Sequence, residues 1–341
     1  MRIVHSDNIM IRRYGLTKVS TGRKLFNGMI RNNWKVIEYS ERDIAKFEAP
    51  LHIKPLGVPA ANKKFIEVCR NWNPDLIIIG HSDLITNNTL DRVKAIMPNV
   101  PIAYINVDPP WRERNVKKLH WRKNHVDAMF ITSGGDFLRQ FCTGRNIVSF
   151  IPNAADPCIE DMDNSKKDEL EYDLTFCGKG SETDDRYPLI VNLHNDLKDK
   201  LKFETFGIYG NPAVWGQEYD SVLSKTKMSL NLNRYEGWKY YSSARISQLM
   251  GNGILAFIWD AGQMKDIIPE NCAAYFKDED ELKKKIIEFH NDNQMRKDIA
   301  GAGRKYYHDN FSGQQIIKYI AETTFGKPYS EDYIWQGEVY K

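Results

Sequence analysis

Short apolar runs recur along this chain, each followed by a longer polar segment with helical spacing. This alternation constrains the fold more than any other feature. Parallel strands cannot be joined by a tight hairpin; each needs a crossover, which is usually a helix packed on the sheet. In the first half the pattern predicts strands at 2–5, 35–39, 76–80, 102–107, 128–131 and 147–151, with helices near 21–31, 60–71, 89–96, 115–125 and 135–141. The segment Ile151-Pro152-Asn153-Ala154-Ala155-Asp156-Pro157 breaks the pattern, and a charged stretch follows to Glu171. The alternation then restarts, with strands at 172–176, 202–206, 228–231, 254–258 and 273–276 and helices at 279–291, 294–308 and 313–323. The expectation is an α/β protein of two tandem Rossmann-like, doubly wound domains with a cleft between them. The first spans 1–152 and the second 153–325, and a tail at 326–341 packs back on the body. At 341 residues the chain is long enough for two such cores.

Composition removes several classes of function. Hydrophobic residues make up 42% and charged residues 27%, as in ordinary globular proteins. No apolar run approaches the roughly 20 residues of a membrane helix, and the start reads as a strand, so a cytoplasmic protein is expected. The five cysteines are scattered without a Cys-x-x-Cys pair, and the eight histidines lack metal-ligand spacing, so neither a disulfide frame nor a bound metal is expected. The net charge of +3 hides an asymmetry: residues 1–150 hold 24 Lys and Arg against 13 Asp and Glu, and residues 151–341 hold 24 against 32. A basic first half suits an anionic acceptor or an anionic membrane. Arg112–Lys123, where Trp111 and Trp121 stand among cations, is the segment expected to touch a membrane. No nucleic-acid-binding motif is present, and the second half is acidic, so nucleic acid is not expected as a partner.

In doubly wound sheets ligands bind beyond the carboxyl ends of the strands, so the residues there carry the functional argument. Gly178-Lys179-Gly180 follows the Tyr172 strand, and glycines let backbone N–H groups approach a phosphate. The loop fits neither the P-loop nor the dinucleotide spacing. Asn231–Trp238 gathers amides, an arginine and aromatic rings at the next strand end. It leads into Lys239-Tyr240-Tyr241-Ser242-Ser243-Ala244-Arg245, where a helix start suits an anion, Tyr240 and Tyr241 suit a base and Arg245 suits a phosphate. An ordinary α/β crossover explains the same residues without a ligand.

In the first half, Asp108 stands at a strand end before two prolines, as a general base or as plain turn chemistry. Arg12, Arg13, Arg23 and Lys24 concentrate cations at the exit of the first strand, as an acceptor-side anion site or a solvated charge run. His81 ends another strand, facing substrate or serving structure.

With these residues in place, the chain resembles the GT-B glycosyltransferases, most clearly from Tyr172 to Phe311, and within them the group that includes CgeB-like spore-maturation enzymes. The resemblance implies that the second domain holds a nucleotide-sugar donor and the first the acceptor, a bacterial surface glycan or its lipid-linked precursor. It implies that Gly178, Lys179 and Gly180 face the donor phosphates, that Asn233, Tyr240, Tyr241 and Ser242 line the donor pocket, and that Arg245 pairs with phosphate or sugar. Many relatives carry a Glu where this chain has Gln248. Asp108 is the catalytic residue in this reading, and the only co-substrate is the nucleotide sugar. A looser likeness to Kdo transferase-related enzymes implies a CMP-activated acid sugar instead. A catalytically silent, sugar-nucleotide-binding subunit is the reading from another class.

Overall fold

The computed structural model describes residues 1–9, 21–235 and 237–341. Two compact units emerge, one formed by Met1–Ala154 with Gly313–Lys341 and the other by Ala155–Ser312. In chain order the first unit opens with β1 (Arg2–Asp7), α1 (Thr21–Arg31), β2 (Lys35–Ser40), α2 (Glu41–Phe47), α3 (Lys54–Trp72) and β3 (Leu76–Ile79). It continues through α4 (Asn87–Ile96), β4 (Ile102–Asn106), α5 (Glu113–Arg122), β5 (Ala128–Ile131) and β6 (Ile147–Phe150). The second unit holds β7 (Tyr172–Cys177), α6 (Tyr187–Leu197), β8 (Phe203–Phe206), α7 (Gln217–Leu223), β9 (Thr226–Asn231) and α8 (Arg245–Gly251). It closes with β10 (Leu255–Trp259), β11 (Ala274–Phe276), α9 (Glu279–Asn291) and α10 (Asn293–Asn310). The chain then returns to the first unit as α11 (Gly313–Phe325) and β12 (Val339–Tyr340).

In the first unit the strand order is β12-β6-β5-β4-β3-β1-β2, parallel throughout except for the antiparallel edge strand β12 on β6. Its central strands are buried on both faces: Leu76, Ile77, Ile78 and Ile79 are all wholly inaccessible. That is why they read as continuous apolar runs. In the second unit the order is β11-β10-β9-β7-β8, all parallel. There alternate residues, such as Leu174 and Phe176, Met228 and Leu230, and Leu255 and Phe257, share one core with Ile190 and Leu193 of α6 and Ile286 and Phe289 of α9. Each sheet reverses its strand order once, between β1 and β3 in the first unit and between β7 and β9 in the second. These reversals open the crevices in which such sheets bind ligands.

The second boundary differs from the expected one. Residues 313–325 belong with the first unit, because α11 crosses α1 at glycines: a Cβ on Gly28 would lie 2.3 Å from the carbonyl of Gly313. Tyr319 of α11 donates to or accepts from the Ser149 hydroxyl at 2.6 Å and packs on Phe130 and Trp335. The Gly135–Phe141 helix forms as a 3-10 turn over Asp136–Phe141. Among the described residues, no helix is long and apolar enough to cross a membrane.

Candidate functional site

At the order reversal of the second unit, β7 ends in Cys177 and β9 in Asn231. Arg245, the first residue of α8, spans that gap. Its Nε donates to the carbonyl of Cys177 at 2.9 Å and its Nη1 to the carbonyl of Leu232 at 3.0 Å. The guanidinium also lies 4.8 Å from the centre of the Phe176 ring. Burial lowers its pKa from the ordinary arginine value, yet a guanidinium stays charged in proteins. Arg245 therefore first ties two strand ends together, and only Nη2 lies outside those two bonds.

Beside it a cavity of about 440 Å³ is lined by Arg186, Leu189, Asn233, Arg234, Trp259 and Glu279, among others. Its wall is an ion network that the sequence did not reveal. The Asp184 carboxylate accepts from Arg186 Nε at 2.7 Å and from Arg234 Nε at 2.9 Å. Both arginines also donate to the carbonyl of Lys179, at 3.2 and 2.9 Å. Two guanidiniums share the Asp184 carboxylate, while Asp185 and Glu279 also line the cavity, so its rim carries both signs of charge. The Asp184 pKa is lowered although its burial works the other way. Thr183 stands where a dinucleotide fingerprint would have its third Gly, and Asp184 follows it; the signal was the misfit itself.

The expected phosphate loop is built differently from the expectation. The N–H of Gly178 donates to Phe206 O at 2.9 Å and that of Gly180 to Gly207 O at 2.8 Å, so neither is free for a phosphate. These glycines are needed for close packing instead. A Cβ on Gly180 would lie 2.6 Å from Ile208, and one on Gly178 would lie 2.9 Å from Phe176. Lys179 between them is exposed.

The tyrosines are corrected as well. Tyr240 adopts φ 56°, its hydroxyl donates to Asp266 at 3.1 Å, and it is 8% exposed. It is a folded-in residue, not a stacking platform. Tyr241 and Ser242 are buried too, and Ser242 Oγ meets Asn231 Nδ2 at 3.0 Å. Asn233 clasps this turn by donating to Tyr241 O and accepting from Ser243 N–H, both at 3.3 Å. Gln248 is half-buried on α8. The anion site expected at the start of α8 is not formed. The helix has only seven residues, and the N–H groups of Ser243 and Ile246 already have acceptors.

In the first unit, two of the singled-out residues come together. His81 lies beyond β3 and Asp108 beyond β4, and a Lys118–Asp83 pair joins them. His81 Nε2 is 3.5 Å from Asp83, Lys118 is bonded to Asp83, and Lys118 Nζ is 3.6 Å from Asp108. Arg42 Nη2 donates to the same Asp83 at 2.9 Å. Beneath, the fully buried Glu41 accepts the N–H groups of Asp83, Leu84 and Ile85 at 2.8, 2.8 and 3.0 Å, which fixes the loop. Asp83 raises the His81 pKa, and burial opposes it. For Lys118 burial acts to lower the pKa, but Tyr104, Asp83 and Asp108 leave it raised. Asp83, two residues after His81 at a strand end, was the sequence signal for this cluster.

Of the expected cationic acceptor site, only Arg23 and Lys24 are among the described residues. Arg12 and Arg13 lie outside the described residues. Arg23 pairs with Glu38 at 3.0 Å, and Lys24 is 3% exposed. The start of α1 faces a carboxylate of the chain itself: a Cβ on Gly22 would lie 2.4 Å from Asp7 Cγ. The basic face expected at Arg112–Lys123 is similarly depleted. Arg122 is wholly buried and donates to Asn87 and to Ile85 O at 2.7 and 2.8 Å, while Lys118 belongs to the Asp83 cluster. Among the described residues, no group of three or more His, Cys, Asp or Glu is placed to hold a metal ion.

Residues 179–322 match a family model described as glycosyl transferase-like. A search of curated protein sequences finds no significant match. Among solved structures, sucrose-phosphate synthase from Thermosynechococcus elongatus aligns with a TM-score of 0.62 at 12% identity, covering 95% of this chain and 98% of that one. The Anabaena protein HepE, solved in complex with UDP and glucose, aligns at 0.58 and 14%, covering 96% and 100%. A Listeria monocytogenes protein described as a UDP-N-acetylglucosamine 2-epimerase aligns at 0.56 and 8%, covering 97% and 99%. At such identities the likeness is one of fold, and one fold hosts several chemistries. The chain has the two-domain fold of GT-B glycosyltransferases, and residues 179–322 match the glycosyl transferase-like family pattern.

Proposed function

We propose that this protein is a glycosyltransferase that moves a sugar from a nucleotide-sugar donor, held by the second unit, to a hydroxyl of a bacterial surface glycan or its lipid-linked precursor. The observation that carries the reading is the cavity at the order reversal of the second sheet, lined by Arg186 and Arg234 and lying within the stretch that matches the family. In this reading Lys179, Arg234 and Arg245 neutralise the departing nucleotide phosphate, and fixed charges in a partly desolvated site are effective at that task. They serve in place of a metal ion, so a chelator leaves turnover unchanged. Trp259 and Leu189 give the cavity its apolar faces. The sugar C1–O bond to phosphate breaks as a bond to the acceptor oxygen forms. Asp108 takes the acceptor proton, and His81, oriented by Asp83, hydrogen-bonds the acceptor. The work is done on the cytoplasmic side, where nucleotide sugars are the co-substrate.

The test is turnover of a panel of nucleotide sugars, CMP-activated acid sugars included, by the wild-type protein and by Asp108→Asn. Asp108→Asn should lower turnover by about 100-fold or more, the scale of a lost general base, and leave donor affinity nearly unchanged. Equal turnover by both proteins would reduce Asp108 to a turn residue. Donor binding without turnover in the wild type would favour a silent sugar-nucleotide-binding subunit.

A further inference from the structure

Among the described residues, the three most exposed large apolar side chains, Leu51, Phe47 and Leu56, lie together in the first unit at the joint between α2 and α3. Phe47 is 83% exposed and Leu51 89%, with Leu56 at 58% and Ile53 at 48%. Every residue from Pro50 to Leu56 is exposed. Scattered apolar residues on a surface need no explanation, but four within ten positions form a patch.

The patch is rigidly presented. His52 N–H donates to Ala49 O at 3.0 Å and Ile53 N–H to Pro50 O at 3.2 Å, closing a turn in which Leu51 and His52 both take left-handed φ, 54° and 57°. Leucine disfavours that conformation, so the closed turn holds Leu51 there. Behind the turn, α2 and α3 touch backbone to backbone: a Cβ on Gly57 would lie 1.8 Å from Ala45 O. The apolar side chains thus stand on a protruding tip rather than lining a groove.

Charge selects the occupant. Lys46 and Lys54 flank the tip, both exposed, and among the described residues neither has an ion-pair partner. The acidic residue between them, Glu48, is neutralised by Lys64 at 3.0 Å. An exposed apolar tip flanked by two lysines complements an anionic lipid surface, where apolar side chains enter the acyl boundary and lysines remain among headgroups. We infer that the Phe47–Leu56 tip docks the protein on anionic membranes.

Position links this surface to the candidate chemistry. The helix that carries Phe47 begins with Glu41 and Arg42, which hold the loop of His81 and Asp83, and seven helical residues span only about 10 Å. A membrane at the tip would bring lipid-linked acceptors near that cluster. This deepens the proposed function by naming the acceptor as membrane-borne, and it rests on that reading for the acceptor alone.

Sedimentation with vesicles tests it, using phosphatidylcholine alone and phosphatidylcholine mixed with phosphatidylglycerol. The wild-type protein should pellet with the anionic vesicles and be released by salt. Phe47→Ser with Leu51→Ser should weaken partitioning by about tenfold or more, and each of Lys46→Ala and Lys54→Ala by about fivefold. All variants should keep the wild-type melting temperature and its shift on adding nucleotide sugar. The proposal is overturned if the wild type stays in the supernatant, if it pellets equally with both vesicle types, or if the serine pair pellets as well as wild type. It is also overturned if the patch instead joins two copies, seen as a concentration-dependent dimer that the serine pair makes monomeric. Donor-induced melting shifts report on the donor site independently, so either idea can fail alone.

Discussion

His81 and Asp83 shift each other in opposite senses. The Asp83 carboxylate raises the His81 pKa above its ordinary 6.5, Asp108 adds to the effect, and burial and Lys118 oppose it. His81 in turn is the largest influence holding Asp83 well below its ordinary 3.8. A raised histidine contributes stability that is complete below its unfolded pKa and is lost as pH rises through the folded value. A depressed carboxylate contributes stability that is present above its unfolded pKa and is lost as pH falls through the folded value. The pair therefore stabilises the first unit most between about pH 4 and 6.5. In an NMR titration the His81 ring should titrate above 6.5, and Asp83→Asn should bring its midpoint down. An unmoved midpoint would mean that Asp83 does not set the charge of His81. At this scale the sequence located residues better than it assigned their roles. Arg245 stands out in the sequence as a phosphate ligand, but most of its guanidinium serves two carbonyls. Only folding brings Cys177 and Leu232 to it.

At the scale of elements, the strands were legible because a buried parallel strand is a continuous apolar run, and all eleven expected strands are found within one or two residues of their expected ends. The helices α2, α6 and α7 were not anticipated. In α2 the sequence Glu41–Phe47 is short and mostly polar, and its helix is secured by distant partners of Glu41 at 83–85. Strand β12 was hidden for the same reason: two residues become a strand only because β6 offers an edge. The placement of α11 depends on glycines whose purpose shows only in three dimensions. Gly28→Ala would drive a methyl into the backbone of Gly313, which has no rotamer by which to yield. It should destabilise the first unit by about 1–3 kcal/mol, the scale of overpacking, measured by urea unfolding. A neutral Gly28→Ala would show that α11 does not rest on α1 as described.

Across the whole molecule one construction is used twice. Each unit is a parallel sheet with a single order reversal, and each reversal gathers charge, the Asp184–Arg186–Arg234 network in one and Asp7 between Gly22 and Gly80 in the other. The two-domain α/β class followed from the alternation of apolar runs alone. The return of the chain to its first unit did not, because a helical period does not say which core a helix will join. The central claim is that the cavity of the second unit binds a nucleotide sugar, and calorimetric titration of nucleotide sugars into the wild-type protein and Arg234→Ala tests it most directly. The account predicts that at least one nucleotide sugar binds the wild type, and that Arg234→Ala weakens it by roughly tenfold or more, the scale of a lost charge-assisted hydrogen bond. Equal affinity in both proteins, or no binding of any nucleotide sugar by a folded wild-type protein, would contradict it.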